Sequence, residues 1–83
     1  MIIVNDAIVE MKRLEALAEA AYEAMYDARP LIVKDCYEDA IGYLGQAIAE
    51  ADRVGSAVDV KRLARRREHI SNVYNSQFRG VGC

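Results

Sequence analysis

The chain has 83 residues, of which 53% are hydrophobic and 29% are charged, with a net charge of −2 at pH 7. A chain of this length forms one domain and buries only about 60–65% of its unfolded surface, so its core is thin. That core must come from aliphatic residues and five tyrosines, because there is one phenylalanine and no tryptophan. A thin core is often completed by a second chain, which makes oligomerisation a reasonable expectation.

The sequence shows no sign of a membrane or secretory protein. Its apolar stretches are much shorter than the roughly 20 residues that a membrane span requires. The apolar start Met1–Val4 lacks the basic flank and the cleavage site of a signal peptide. Cys36 and Cys83 do not suggest a disulfide framework, so Cys36 is predicted to be a small core residue. We therefore expect a cytoplasmic protein with no membrane partner.

The first predicted helix covers about residues 5–28. Asn5 and Asp6 are of types that favour the N-cap, just ahead of the first helical turn. Apolar residues then recur at alternating spacings of three and four, a pattern typical of a helix packed along its whole length, as in a coiled coil. This apolar seam consists of Val4, Ala7, Met11, Leu14, Ala18, Ala21, Met25 and Ala28.

The second predicted helix covers about residues 31–54. The residue before a proline avoids the α region, so Arg29-Pro30 should end the first helix. Pro30 then fits the first turn of the next helix, and a kinked continuous helix is the second possibility. The apolar positions of this helix follow a new register: Val33, Tyr37, Ala40, Leu44, Ala47, Ala51 and Val54.

Two glycines lie inside the second predicted helix. Gly42 and Gly45 each cost about 1 kcal/mol relative to alanine in a helix interior. With Ala49 they form a strip of small residues on one side of the helix. We expect this strip to allow the close approach of another helix.

The third predicted helix covers about residues 57–79. Gly55 should end the second helix in the left-handed conformation. Ser56 should then cap the third helix, with Asp59 placed as in a capping box. Residues 80–83 are predicted to be a flexible tail. The apolar line of this helix is Val60, Leu63, Ile70 and Tyr74, interrupted by Arg67, and Ala64, Val73 and Phe78 lie beside it.

The three predicted helices define the fold class. Helices of about 24 residues are roughly 36 Å long, and short loops make consecutive helices lie antiparallel. The sequence therefore predicts an all-α protein, a single domain built as a three-helix antiparallel bundle. Dimerisation could complete its core.

The seam on the first helix is longer than a chain of this size needs for its own packing. We therefore expect this protein to be a homodimer and the seam to be its main packing surface. The residues proposed for the interface are Met11, Leu14, Ala18, Tyr22 and Met25. The pattern leaves open whether these side chains pack within the chain or against a second chain.

Charge is distributed unevenly along the chain. Residues 1–56 hold five Lys/Arg against eleven Asp/Glu, a net charge of −6, whereas residues 57–83 hold six against two, a net charge of +4. Pairing between helices is the favoured interpretation because the whole chain is acidic, and binding of phosphates is the alternative. The basic face of the third helix is Lys61, Arg62, Arg65 and Arg66, and the acidic stripe of the first is Glu15, Glu19, Glu23 and Asp27.

A helix-turn-helix motif would strengthen the nucleic-acid alternative. Val54-Gly55-Ser56 could serve as its turn, and the helix that follows is basic, as a recognition helix is. Lys61, however, falls where this motif places an apolar core residue. A plain antiparallel hairpin explains the same glycine.

The sequence offers little for catalysis or metal chemistry. His69 is the only histidine, and the two cysteines lack the spacing of metal ligands. No nucleophile can be matched with a base and an orienting group. We therefore expect no enzyme activity, no metal and no cofactor. The favoured function is a non-enzymatic helical interaction or adaptor module acting as a homo-oligomer, and a small nucleic-acid-binding protein is the alternative.

Overall fold

The computed structural model describes residues 2–78, with side chains from residue 6 onward. Three helices follow one another, and a π-helical turn extends the third. Their bounds are α1 Ile2–Asp27, α2 Pro30–Arg53, α3 Ala57–Val73 and the π-helical turn Tyr74–Phe78. The described residues contain no strand, and the helices pack as a bundle. The predicted fold class, an all-α three-helix bundle, is confirmed.

The first helix begins earlier than the sequence indicates. It starts at Ile2, so Asn5 and Asp6 lie within its first turns and the N-cap prediction for them is wrong. Helix propagation explains the difference, because each residue added to an existing helix gains a hydrogen bond at little cost. The predicted tail over residues 80–83, with Cys83, lies outside the described residues.

The first connection is a tight turn rather than a kink. Arg29 has extended backbone angles, φ −65° and ψ 152°, as the residue before a proline prefers. Pro30 occupies the first turn of α2, where its missing N–H costs no hydrogen bond. The Arg29 carbonyl accepts hydrogen bonds from the amides of Ile32 and Val33, at 2.8 and 3.1 Å, which starts α2.

The second connection reverses the chain at Gly55. This glycine adopts φ +73°, the left-handed conformation that the sequence predicts. Its amide donates to the Asp52 carbonyl, and the amide of Ser56 donates to the Ala51 carbonyl, both at 3.0 Å, as in a Schellman motif. Ser56 is the N-cap residue of α3, as predicted. The predicted capping box does not form, because the Ser56 Oγ donates to the Asp59 carboxylate at 2.8 Å and accepts from no backbone amide.

The core lies between the three helices and is built largely from small side chains. Its buried cluster is Met11, Leu14, Ala18, Ala40, Leu44, Ala47, Ala51, Leu63 and Ile70. Four of these nine residues are alanines, all on α1 and α2, which form the most extensive contact between helices. Small side chains let two helix axes approach closely. The third helix contributes only Leu63 and Ile70 to this cluster.

The seam on α1 faces the chain's own helices. Met11, Leu14, Ala18 and Met25 are at most 3% exposed. Tyr22 is half-buried and packs against the same cluster. The core of the single chain therefore uses the side chains proposed for a dimer interface. A homodimer that keeps this core intact has to form on another surface.

The two helical glycines do not bring helices together within the chain, so the expected close approach is not met by the chain's own helices. A Cβ added to Gly42 or to Gly45 would meet no atom within 4 Å. Gly42 is exposed and Gly45 is half-buried. The core-facing side of α2 is formed by Ala40, Leu44 and Ala47 instead, all of them buried.

The arrangement of the helices leaves grooves along the bundle, two of which border α3. The bundle is elongated, with Cα extents of 48 × 17 × 13 Å. α3 packs its backbone against α2 and faces α1 across a wider gap. One groove therefore runs between α1 and α3, and another runs between α2 and α3. None of the described helices is long and apolar enough to cross a membrane.

Candidate functional site

Two ion pairs join α1 to α3 across the first groove. Arg66 donates two hydrogen bonds to the Glu19 carboxylate, from Nε at 2.7 Å and from Nη2 at 2.6 Å. Arg62 donates from Nη1 to the Glu15 carboxylate. Both pairs join residues 47 positions apart, as expected for two parallel helices with one fixed offset. The predicted pairing of the acidic stripe with the basic face is confirmed for these four residues.

The other half of the acidic stripe has no such partner. Glu23 and Asp27 form no ion pair within residues 6–78. The side chains that join this end of α1 to α3 and the π-helical turn are aromatic rather than basic. The ring of Tyr22 meets His69 edge-on at 6.3 Å between centroids, and that of Tyr26 meets Phe78 at 5.1 Å. The contact between α1 and α3 therefore changes from ionic to aromatic along its length.

Tyr22 links the ionic part of this contact to the aromatic part. The Arg66 guanidinium carbon lies 5.0 Å from the centre of its ring, within the range of a cation–π interaction. Its hydroxyl lies 3.1 Å from the hydroxyl of Tyr26. This hydrogen bond, together with burial, raises the pKa of the Tyr22 phenol.

The two ion pairs hold their arginines in place. The hydrogen bonds to Glu15 and Glu19 raise the pKa of Arg62 and that of Arg66. The two arginine side chains are still 46% and 34% exposed. Exposed ion pairs contribute only about 0–1 kcal/mol each, so these pairs set the position of α3 more than they stabilise it.

The remaining half of the basic face is free. Lys61 and Arg65 are both exposed, and neither forms an ion pair within the described part of the chain. They lie four residues apart, so they are neighbours on one side of α3. The sequence predicted a single basic face of four residues. The structure divides it into two arginines turned to α1 and two cations turned to solvent.

The groove between α1 and α3 has a volume of about 710 Å³. Val58 lines it near its start and is 77% exposed. Exposed His69 lies near its other end, against the ring of Tyr22. The full set of lining residues is Glu15, Glu19, Val58, Lys61, Arg62, Arg65, Arg66 and His69.

The second groove, between α2 and α3, is not predicted from the sequence. It has a volume of about 320 Å³. At one end, α2 is held against α3 by a hydrogen bond between the hydroxyls of Tyr37 and Ser71, at 3.1 Å, and against the π-helical turn by the stacked rings of Tyr37 and Tyr74, whose centroids are 4.0 Å apart. Its lining residues are Tyr37, Ile41, Ile48, Ala64, Arg67, Glu68, Ser71 and Asn72. One sequence signal points to it: Arg67, which interrupts the apolar line of α3.

Comparison of the chain with protein families, with curated proteins and with solved structures gives no match. The function is therefore argued from the two grooves. Within residues 6–78, no three His, Cys, Asp or Glu side chains are grouped so that they could hold a metal ion. The groove between α1 and α3 offers free positive charge beside an exposed valine. That combination suits an acidic partner with an apolar side.

Proposed function

We propose that the protein is a non-enzymatic helical interaction module that acts as a homo-oligomer and binds an acidic helix of a partner protein between α1 and α3. The observation that carries the proposal is the pair of free cations, Lys61 and Arg65, beside the exposed side chain of Val58. Lys61 and Arg65 give this side of α3 a positive charge. Charge complementarity directs the encounter with a partner and favours an acidic partner over a basic one.

The spacing of the groove residues supports a helix as the occupant. Val58, Lys61, Arg65 and His69 are separated by three, four and four residues, so they follow one line along α3. An amphipathic helix laid along this line would place an apolar residue on Val58 and carboxylates beside the two cations. Recognition of a helix in a groove uses this periodicity.

The ion pairs of the groove favour binding by fixing its shape. Arg62 and Arg66 are already held by Glu15 and Glu19, so their side chains need not be ordered again when a partner binds. Each long side chain that has to be immobilised costs about 0.5–1.5 kcal/mol on association. The part of the groove that contains the ion pairs is thus preorganised, and the part that contains Lys61 and Arg65 offers free charge.

Partly uncovered apolar side chains on α2 support a homo-oligomer. Ile41 and Ile48 pack against the core cluster but are only half-buried in the single chain. The core has few large side chains, and a small domain of this kind gains stability when a second copy covers apolar surface. We place this function in the cytoplasm, where the free thiol of Cys36, half-buried on α2, stays reduced.

The partner proposal can be tested with a synthetic helical peptide of about 20 residues that carries glutamates beside a leucine stripe. We expect the full chain to bind it, as followed by fluorescence anisotropy. Lys61→Glu should weaken binding about three- to tenfold, because one exposed ion pair is worth up to about 1 kcal/mol. Lys34→Glu makes the same charge change at an exposed position of α2 and should leave binding unchanged. Equal effects of both variants would contradict the proposal.

Nucleic-acid binding by Lys61, Arg62, Arg65 and Arg66 is the second candidate. The two free cations favour it, since lysine and arginine on one edge can contact successive phosphates. Glu15 and Glu19 weaken it, because they neutralise the other two cations and would face the phosphates. Retention of the chain on duplex or single-stranded DNA at low salt, lost in Arg65→Glu, would favour this candidate over a helical partner.

A further inference from the structure

We propose that a second copy of this chain docks on the groove between α2 and α3, through a two-fold symmetric contact centred on Arg67 and Glu68. This inference rests on the homo-oligomer of the proposed function and names its surface. The surface lies between α2 and α3. It adjoins the edge of α3 that carries Lys61 and Arg65, because Glu68 is three residues from Arg65 and seven from Lys61.

The apolar part of this surface is already half-formed in the single chain. Ile41 and Ile48 are half-buried on the side of α2 that faces the groove, and Ala64 is exposed on α3. Gly45 lies between the two isoleucines along the helix surface, because three- and four-residue spacings share one face. A Cβ at Gly45 would meet no atom within 4 Å. The backbone of α2 is therefore open to close approach by a second copy.

The charges of the groove select the second copy as the occupant. In a two-fold contact the same patch meets itself, so each charge must find its opposite within that patch. Arg67 and Glu68 are exposed, adjacent and unpaired within the described residues. On α3 they lie midway between Ala64 and Ser71, which line the two ends of the groove. A two-fold axis at this point brings Arg67 of each copy to Glu68 of the other.

The groove between α1 and α3 is not self-complementary in charge. Its free charges, Lys61 and Arg65, are both positive, so two such edges repel when they face each other. The seam on α1 is not accessible to a second copy, because Met11, Leu14 and Ala18 are buried within the chain. Of the surfaces considered for a dimer, the groove between α2 and α3 is thus the one that is both accessible and self-complementary.

The test is a charge swap between two variants of the full chain. Arg67→Glu puts two acidic residues at the centre of the patch, and Glu68→Arg puts two basic residues there. Each variant alone should lose self-association in sedimentation velocity, whereas an equimolar mixture should form heterodimers. Self-association of either variant at the wild-type level, or a mixture that stays monomeric while the wild type dimerises, would overturn the proposed surface.

Two further variants keep this test independent of folding and of the partner site. Gly45→Leu fills open space, so it should preserve the monomer fold, checked by circular dichroism, while it blocks the close approach and abolishes the dimer. Val58→Glu puts a negative charge in the other groove, ten residues from Glu68, so it should leave the dimer intact while it weakens binding of the acidic peptide. A wild-type chain that is monomeric at all concentrations contradicts the homo-oligomer itself. A dimer unaffected by Gly45→Leu contradicts only its assignment to this groove.

Discussion

The contact between α1 and α2 differs in kind from the contact between α1 and α3. The first is apolar and close, with Ala18, Ala40 and Ala47 each 0% exposed. The second is made by long side chains that reach across a gap: two ion pairs at one end and aromatic pairs at the other. Burial of apolar surface stabilises far more than exposed ion pairs do. The hairpin of α1 and α2 therefore provides the stable frame, and charge sets where α3 lies on it.

This difference explains why the third helix carries both proposed binding surfaces. α3 is anchored to the core cluster by Leu63 and Ile70, which leaves two of its sides uncovered. One side presents Lys61 and Arg65, and the other presents Arg67 and Glu68. A helix so sparsely attached can be recognised from both sides without disturbing the frame beneath it.

The largest expected effect comes from removing an anchor of α3. Leu63→Ala should lower the free energy of unfolding by about 2–5 kcal/mol, because Leu63 is 0% exposed and the truncation leaves a cavity. Val58→Ala, at a 77% exposed position of the same helix, should change it by less than about 0.5 kcal/mol. Urea denaturation measures both values. Similar losses would show that α3 is not anchored at Leu63.

The close packing of α1 and α2 can be broken by enlarging one alanine. Ala47→Leu should cost about 1–3 kcal/mol, since Ala47 is fully buried and the extra atoms force the helices apart. Ala49→Leu, two residues further along α2 at an exposed position, serves as the matched control. Thermal denaturation should separate the two variants. A tolerated Ala47→Leu would contradict close packing.

Replacing Gly42, inside α2, and Gly55, just after its end, by alanine should change the free energy of unfolding in opposite directions. Gly42→Ala should raise the free energy of unfolding by about 0.5–1 kcal/mol, because alanine favours the helical conformation more than glycine does and the added methyl group meets no neighbouring atom. Gly55→Ala should lower it by about 1–2 kcal/mol, because Gly55 is held at φ +73°. Chemical denaturation of both variants measures the difference. The same sign for both would contradict the assigned backbone conformations.

The ionic half of the contact between α1 and α3 should contribute little to stability. A double-mutant cycle on Glu19→Gln and Arg66→Gln should give a coupling energy of up to about 1 kcal/mol, which decreases as salt is added. Denaturation at low and high salt measures it. A coupling several times larger, insensitive to salt, would mean that the pair stabilises α3 rather than positioning it.

The smallest expected effect is a loss of stability at high pH through Tyr22. Its pKa is raised in the folded chain, chiefly by the hydrogen bond with Tyr26. Its contribution is therefore fully present below the ordinary tyrosine pKa of about 10 and declines as pH rises through the folded value. Tyr22→Phe should flatten this decline in melting temperatures measured from neutral to alkaline pH. An unchanged profile would remove Tyr22 as its source.

Periodicity and local turn chemistry were sufficient to predict the fold. Spacings of three and four located the helices, and Pro30 and Gly55 located both connections, because their backbone restrictions act within a few residues. The predicted N-cap at Asn5 and Asp6 was wrong, and Ser56 is the predicted N-cap of α3 but forms no capping box. At these positions several hydrogen-bonding choices differ by small energies, so composition alone does not decide between them.

The candidate site was predicted only in part. Opposite charge at matching spacing on α1 and α3 indicated that the two helices pair, and two pairs form. The division of the basic face into paired and free cations depends on the rotation of α3 about its axis, which the sequence leaves undetermined. The groove between α2 and α3 depends on the same rotation. The only sequence feature that indicates this groove is Arg67, which interrupts the apolar line of α3.

Backbone amide NMR spectra of the full chain test the central claim, that the two grooves beside α3 recognise different partners. Spectra are recorded on dilution and on addition of the acidic helical peptide. Dilution should shift the amide signals of Ile41, Gly45 and Ala64, whereas the peptide should shift those of Val58 and Lys61. Spectra that respond to neither change, or that respond at the same residues in both, would contradict the account.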